Sequence, residues 1–201
     1  DLVRSRGLGD VYKRQGLGNP GEEHLTDRHN AGFWLCDLLA KHLSTSFSVE
    51  KTLKGHVAKA HKNHHNLWLL KPQTYMNLSG ESVARVAKFY QVEASQILVI
   101  HDELDLPAGV VRLKFGGGTG GHNGLKSMTQ QLGTPEYWRL RIGIGHPRDL
   151  APQGSPHQEV ASYVLKKPSQ QDLALIETGF NKVLQVLPMI ISDDPVSYTH
   201  L

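Results

Sequence analysis

A chain of 201 residues, 39% of them hydrophobic, is long enough to bury one sizeable core and most simply forms a single domain. Its net charge of +3, from 22 Lys and Arg against 19 Asp and Glu, permits a polyanionic partner without demanding one. Cys36 is the only cysteine, which excludes an intrachain disulfide; with no bilayer-length apolar run and no leader pattern, the expectation is a cytoplasmic protein.

The opening stretch, DLVRSRGLGDVYKRQ, offers only Val11 and Tyr12 before Lys13, Arg14 and Gln15, too polar for a strand buried on two faces. With PVSYTHL after residue 194, it reads as adapter- or vector-derived flanking sequence, which confines the domain to residues 16–194. GLGNPG (16–21) matches the glycine fingerprint of dinucleotide sites. Pro20 interrupts it, however, EEHLTD follows in place of a helix, and no apolar strand precedes it. A tight turn that lifts Asn19 off a strand end is the better reading. Residues 30–43 space Phe33, Leu35, Leu38, Leu39 and Leu43 as a helix. Residues 55–61 and 66–71 pair as strands, and the His61–His65 cluster between them suits a solvated hairpin tip better than a metal site. Then come a helix over 79–90 capped by Ser79, and ILVI (97–100), a strand buried on both faces. Residues 110–115 and 139–145 alternate as strands around a short helix at 123–132. A mobile polar loop at 147–159 precedes a last helix, opened by Pro168 and running through residue 187. Strands alternating with helices predict an α/β fold around a mostly parallel or mixed sheet.

His29 falls at the start of the first helix, where the positive end of the dipole disfavours protonation and leaves the neutral imidazole that a general base requires. A histidine that merely caps or packs is the plainer alternative. HDELDLPAG puts Asp102 at the carboxyl end of a buried strand, the edge where open α/β sheets build sites, and Asp102 can accept the imidazole N–H. Asp102, Glu103 and Asp105 together could hold a divalent cation, but no other ligand set accompanies them, so no metal is expected. GGGTGGHNGLKS (116–127) lacks the closing Gly-Lys-Ser/Thr of a P-loop. It suggests backbone amides near a ligand, with Asn123 either a helix cap or a free amide. In KPQTYMNLSG (71–80), Asn77 precedes the helix with Tyr75 and Met76 beside it. Asn19, Asn77, Asp102 and Asn123 all follow strands, and a parallel sheet brings such loops to one edge.

GLGNPG, RHNAG, TYMNLSG, HDELDLP, GGGTGGHNGL and RLRIGIGHP, in this order and spacing over residues 16–190, resemble the bacterial peptidyl-tRNA hydrolase family. The resemblance implies a single-domain α/β protein with a twisted mixed, mostly parallel sheet packed by helices. It implies a cytoplasmic monomer that hydrolyses the ester between peptide and tRNA, with no cofactor and no protein partner. By position His29 corresponds to the general base, Asp102 to the group that holds it, and Asn19 to the asparagine that tells a blocked from a free aminoacyl group. Tyr75, Asn77 and Asn123 correspond to contacts with the peptide and the terminal nucleotide. The family usually has a tyrosine where His24 stands; the histidine would still stack on a base or sugar, with a weaker grip. Arg112, Lys114, Arg139, Arg141 and Arg148 are the expected phosphate ligands. The competing class is a module that only holds RNA, since some plant relatives act in intron splicing without hydrolysis. Intact His29, Asp102 and asparagines favour the enzyme.

Overall fold

The chain, seen in a computed structural model, is described over residues 11–62, 65–149 and 159–191. Residues 1–10 and 195–201 of the expected flanks, residues 150–158 of the polar loop and part of the His61–His65 tip lie outside the described residues. Strands β1 (Val11–Gly16), β2 (Ser48–Glu50), β3 (Gly55–Lys62), β4 (His65–Pro72), β5 (Ile97–Glu103), β6 (Val111–Phe115) and β7 (Trp138–Gly143) form one sheet in the order β2-β3-β4-β1-β5-β7-β6. The four central strands β4, β1, β5 and β7 are parallel, while β2–β3, β3–β4 and β6–β7 pair antiparallel. Helices are α1 (Ala31–His42), α2 (Ser79–Phe89), α3 (Asn123–Leu132), α4 (Val160–Val164) and α5 (Gln170–Ile191). The sequence pattern finds all of these but β1, whose polar residues argue against a strand, and β2 and α4, two pieces too short to show a period.

Alternation along β5 explains the layering. Leu98 and Ile100 enter the core beneath α1, α4 and α5, while Ile97 and Val99 enter the core beneath α2 and α3. Both faces are therefore covered, as a parallel strand requires.

β1 corrects the expectation that residues 11–15 cannot supply a strand. Val11–Gln15 pair with Asn66–Leu70 of β4, and Lys13–Gly16 pair with Ile97–Ile100 of β5, so the strand sits near the middle of the sheet. Main-chain pairing on both sides holds it there against its own side chains. Arg14, 6% exposed, donates Nη2 to the Ile190 carbonyl of α5 at 2.7 Å. Gln15, 0% exposed, sends Nε2 to Met128 Sδ of α3 at 3.1 Å, and its Oε1 is buried with no partner. The two polar side chains thus occupy the two core layers.

Two other local expectations change. Ser79 is the first residue of α2 and does not cap it; its hydroxyl is buried against Met76 Sδ. At α3 the cap is His122, whose ring accepts from the amides of Gly124 and Leu125, which leaves Asn123 exposed at the first helical position.

The glycines at the start serve close packing. A Cβ on Gly16 would lie 2.1 Å from the Gly32 carbonyl oxygen, and one on Gly32 would lie 2.4 Å from that of Ile100. Only glycine at both positions lets the first turn of α1 rest on the carboxyl ends of β1 and β5. Of the three fingerprint glycines this packing accounts for Gly16; Gly18 sits against Phe33, whose ring a Cβ would meet at 2.7 Å, and Gly21 holds φ 110°.

Candidate active site

Beyond Gly16 the chain runs one residue further along β5, with Leu17 N–H on the Ile100 carbonyl at 2.9 Å, and then turns at Asn19. Asn19 N–H donates to Asn30 Oδ1 (2.8 Å), and Asn30 Nδ2 donates back to the Asn19 carbonyl (2.9 Å). This reciprocal pair ties the turn to the 3-10 segment Arg28–Asn30, which carries His29. Asn19 Oδ1 accepts the Met76 N–H at 2.7 Å, which adds the turn after β4. Because Oδ1 is committed to a backbone donor, Nδ2 is the end of Asn19 left for a ligand.

His29 Nδ1 lies 2.9 Å from both oxygens of Asp102, and Asp102 Oδ1 also accepts from His122 Nε2 at 3.0 Å. The His122 tautomer follows from its other nitrogen. Nδ1 accepts from Gly124 N–H (3.1 Å) and Leu125 N–H (3.4 Å), so the neutral ring carries its proton on Nε2 and donates it to Asp102. His29 likewise donates through Nδ1, which leaves the Nε2 lone pair as the basic position. His101, next along β5, has Nδ1 on the Asp102 backbone carbonyl at 2.7 Å, and its ring centre is 5.1 Å from that of His122.

Burial on its own would lower the His29 pKa, but the charge of Asp102 and its hydrogen bond outweigh burial, Asp27 adds to them, and the value is raised above 6.5. This corrects the expectation that the helix dipole keeps His29 neutral: the carboxylate wins because it is in direct contact. Burial would raise the Asp102 pKa, yet the two imidazoles and their hydrogen bonds hold it well below 3.8. His101 goes the other way. Burial, then the neighbouring His122, push it down to about 3, so it stays neutral.

His29, Asp102, His122 and Asn123 line a cavity of about 480 Å³, together with Val160 and Val164 of α4. Asn123 arrives there by a different route from the one its sequence position suggests. β6 is antiparallel to β7, and Phe115 pairs with Trp138 at the amino end of β7. The glycine-rich stretch must therefore run back along the sheet. Gly120 and Gly121, at φ 55° and 81°, make the final bend before His122.

Tyr75 (62% exposed) and Asn77 flank the Met76 amide that Asn19 holds; they border the site and do not line the cavity. His24 is not brought to the cavity: its Nδ1 is held by Asp27 Oδ2 at 2.7 Å. Arg112 and Lys114 are exposed on β6, Arg148 is exposed near Asp105 (3.4 Å), and Arg141 is half-buried on Glu103 (2.8 Å). Arg139 is a correction. It is 2% exposed, and its two Nη groups hold the carbonyls of Gly118 and Gly117 at 2.5 and 2.6 Å, so it clamps the glycine stretch and cannot meet a phosphate.

The carboxylates of Glu103 and Asp105 are likewise engaged by arginines, which removes them from a cation set with Asp102. Ligand atoms of His29, Asp102 and His122 do lie within 4.8 Å of one another. A metal there would need the proton of His122 moved to Nδ1, and α3 would lose its cap. Sequence reasoning missed His122, Asn30 and Arg28. A histidine is an uncommon helix cap, so Asn123 drew the attention, and nothing in RHNAG announces a reciprocal amide pair.

The family model of peptidyl-tRNA hydrolase matches residues 15–200. The chain belongs to the peptidyl-tRNA hydrolase family. It is 56% identical over 179 residues to the peptidyl-tRNA hydrolase of Polynucleobacter asymbioticus, covering 89% of this chain and 91% of the relative. The peptidyl-tRNA hydrolase of Polynucleobacter necessarius is 54% identical over 179 residues, with the same coverage of 89% and 91%. Among solved structures, peptidyl-tRNA hydrolase from Acinetobacter baumannii superposes with a TM-score of 0.83 at 38% identity, covering 93% of this chain and 91% of that one. An Arabidopsis thaliana 5′-methylthioadenosine nucleosidase, 8% identical at a TM-score of 0.54, shares the fold alone.

Proposed function

We propose that His29, oriented by Asp102, is the base with which this chain carries out the family's reaction, hydrolysis of the ester bond of peptidyl-tRNA. The observation that carries the reading is the His29 Nδ1 contact with both Asp102 oxygens at 2.9 Å, in the wall of the cavity. His29 Nε2 takes a proton from water, the hydroxide attacks the ester carbonyl, and Asp102 stabilises the imidazolium that forms. The proton then passes from His29 to the departing ribose oxygen. Amide groups around the cavity support the rest of the reading: Asn77 and Asn123 are exposed, while Asn19 is buried with its Oδ1 on the Met76 N–H. Asn19 Nδ2 meets the carbonyl that an N-blocked residue carries next to its α-nitrogen, whereas a free ammonium has no acceptor to offer it. Asn123, Asn77 and Tyr75 hold the peptide and the terminal nucleotide through groups indifferent to side chain identity. Exposed Arg112, Lys114 and Arg148, with half-buried Arg141, serve the tRNA phosphates. His29, Asp102 and the asparagines all come from one chain, which supports action as a monomer, and the substrate's place in translation supports the cytoplasm. Among the described residues, no helix is long and apolar enough to cross a membrane.

The test is release of N-acetylated amino acid from tRNA. His29→Ala is expected to lower turnover by about 100-fold or more while leaving tRNA affinity nearly unchanged. Near-normal turnover in that variant sinks the assignment.

A further inference from the structure

α4 has five residues, too few to hold a helix unaided, yet its Val160, Ala161 and Val164 form part of the cavity lining. What holds it is Arg28, the residue immediately before His29. The Arg28 side chain is 7% exposed, and its Nη1 donates to the carbonyls of Tyr163 (3.3 Å), Lys166 (3.0 Å) and Lys167 (3.0 Å). Its own main-chain N–H takes the Lys166 carbonyl as well, at 3.2 Å. The guanidinium lies over the Tyr163 ring, 4.1 Å from its centre, and Nη2 is 3.9 Å from Asp172 at the start of α5. Tyr163 in turn donates its hydroxyl to the Ile144 carbonyl just after β7, at 2.8 Å. One buried guanidinium thus gathers carbonyls of α4 and of the residues just after it and fastens them to the turn that carries His29.

We propose that Arg28 is a positioning residue that docks α4 against the His29 turn, so that bound substrate is gripped between His29 and the α4 wall. The inference rests on His29 being the base and extends that reading to how the acyl end is held. A planar guanidinium can stack flat on a ring while its fork spans several carbonyls; a lysine ammonium is one compact charge without that fork and cannot do both at once from this position. Arg28→Lys therefore loosens the α4 wall while leaving His29 on Asp102.

With N-acetyl-aminoacyl-tRNA as the probe, Arg28→Lys is expected to raise KM about tenfold with kcat within about twofold. The pH midpoint of kcat stays where it is, because Asp102 and not Arg28 sets it, and the amides of residues 160–164 exchange faster with solvent. An unchanged KM alongside faster exchange overturns the proposal, as does a shifted pH midpoint with KM constant. If Arg28→Lys does not fold, Tyr163→Phe decides. It keeps the ring but removes the bond to Ile144, and it should raise KM in the same direction by a smaller factor; no change in KM overturns the coupling. The His29→Ala arm separates the two ideas: retained turnover there defeats the base assignment, whereas the Arg28 arm reads the grip of α4 alone.

Discussion

The carboxylate of Asp102 is shared between His29 at 2.9 Å and His122 at 3.0 Å, and the share each takes sets the titration of the base. Catalysis needs His29 neutral, so turnover should rise as pH climbs through its raised pKa, above 6.5. Asp102→Asn removes the largest of the groups that raise that pKa and leaves burial, which lowers it, opposed only by the more weakly acting Asp27. The midpoint of the pH–kcat profile should then fall relative to the wild type while the plateau drops, since Nδ1–H loses its ionised acceptor. A midpoint that stays put would assign the control of His29 to another group. His122→Phe is expected to move the midpoint the other way, upward, because Asp102 then serves His29 alone; it should also cost about 1 kcal/mol of stability through the lost α3 cap. The same linkage appears in unfolding. A histidine whose folded pKa is raised stabilises fully below its unfolded value near 6.5, and that stability is lost as pH rises through the folded value. The gap in thermal midpoint between the wild type and Asp102→Asn should therefore narrow from pH 6 to pH 9, and a constant gap would contradict the raised pKa.

β1 shows what pairing can impose on side chains that oppose it. Val11–Gln15 lie between β4 and β5 with Gln15 at 0% exposure and its Oε1 unpartnered. A buried unsatisfied acceptor costs about 1–3 kcal/mol, and Gln15→Met keeps the length while removing the amide. At this size about 1 kcal/mol corresponds to roughly 2–4 °C, so Gln15→Met should raise the thermal midpoint by a few degrees. A lower midpoint would mean that the Met128 contact matters more than the orphan oxygen. The helices α1, α2, α3 and α5 and the strand ILVI were legible because apolar periodicity is written into each segment by itself. β1 was not, since its strand character comes from its neighbours, and local polarity argued the opposite. His29, Asp102, Asn19 and Asn123 were legible through motif and resemblance. The helix-capping tautomer of His122, the inward turn of Arg139 and the α4 clasp of Arg28 exist only where distant segments meet.

Across the outer strands Arg112 stands opposite Arg141 and Lys114 opposite Arg139, a face of like charge that costs stability on its own. Glu103 relieves Arg141 and the glycine carbonyls absorb Arg139, while Arg112 and Lys114 lie exposed on β6. Binding of tRNA through this face should weaken linearly on a log–log salt plot. Arg112→Ala with Arg141→Ala should flatten the slope by about 2. An unchanged slope would move the RNA footprint elsewhere on the molecule. Among the described residues β6 is also the last strand on its side of the sheet, whereas the opposite border is blunted by the three-residue β2. An outer strand is a template on which a second copy can add its own, and charged side chains are what discourage that growth. Cations suited to nucleic acid would then also keep copies of the chain apart. Arg112→Ala with Lys114→Ala should scatter more light as concentration rises at low salt, and a chain bound to tRNA should be shielded from that self-association because the polyanion covers that border.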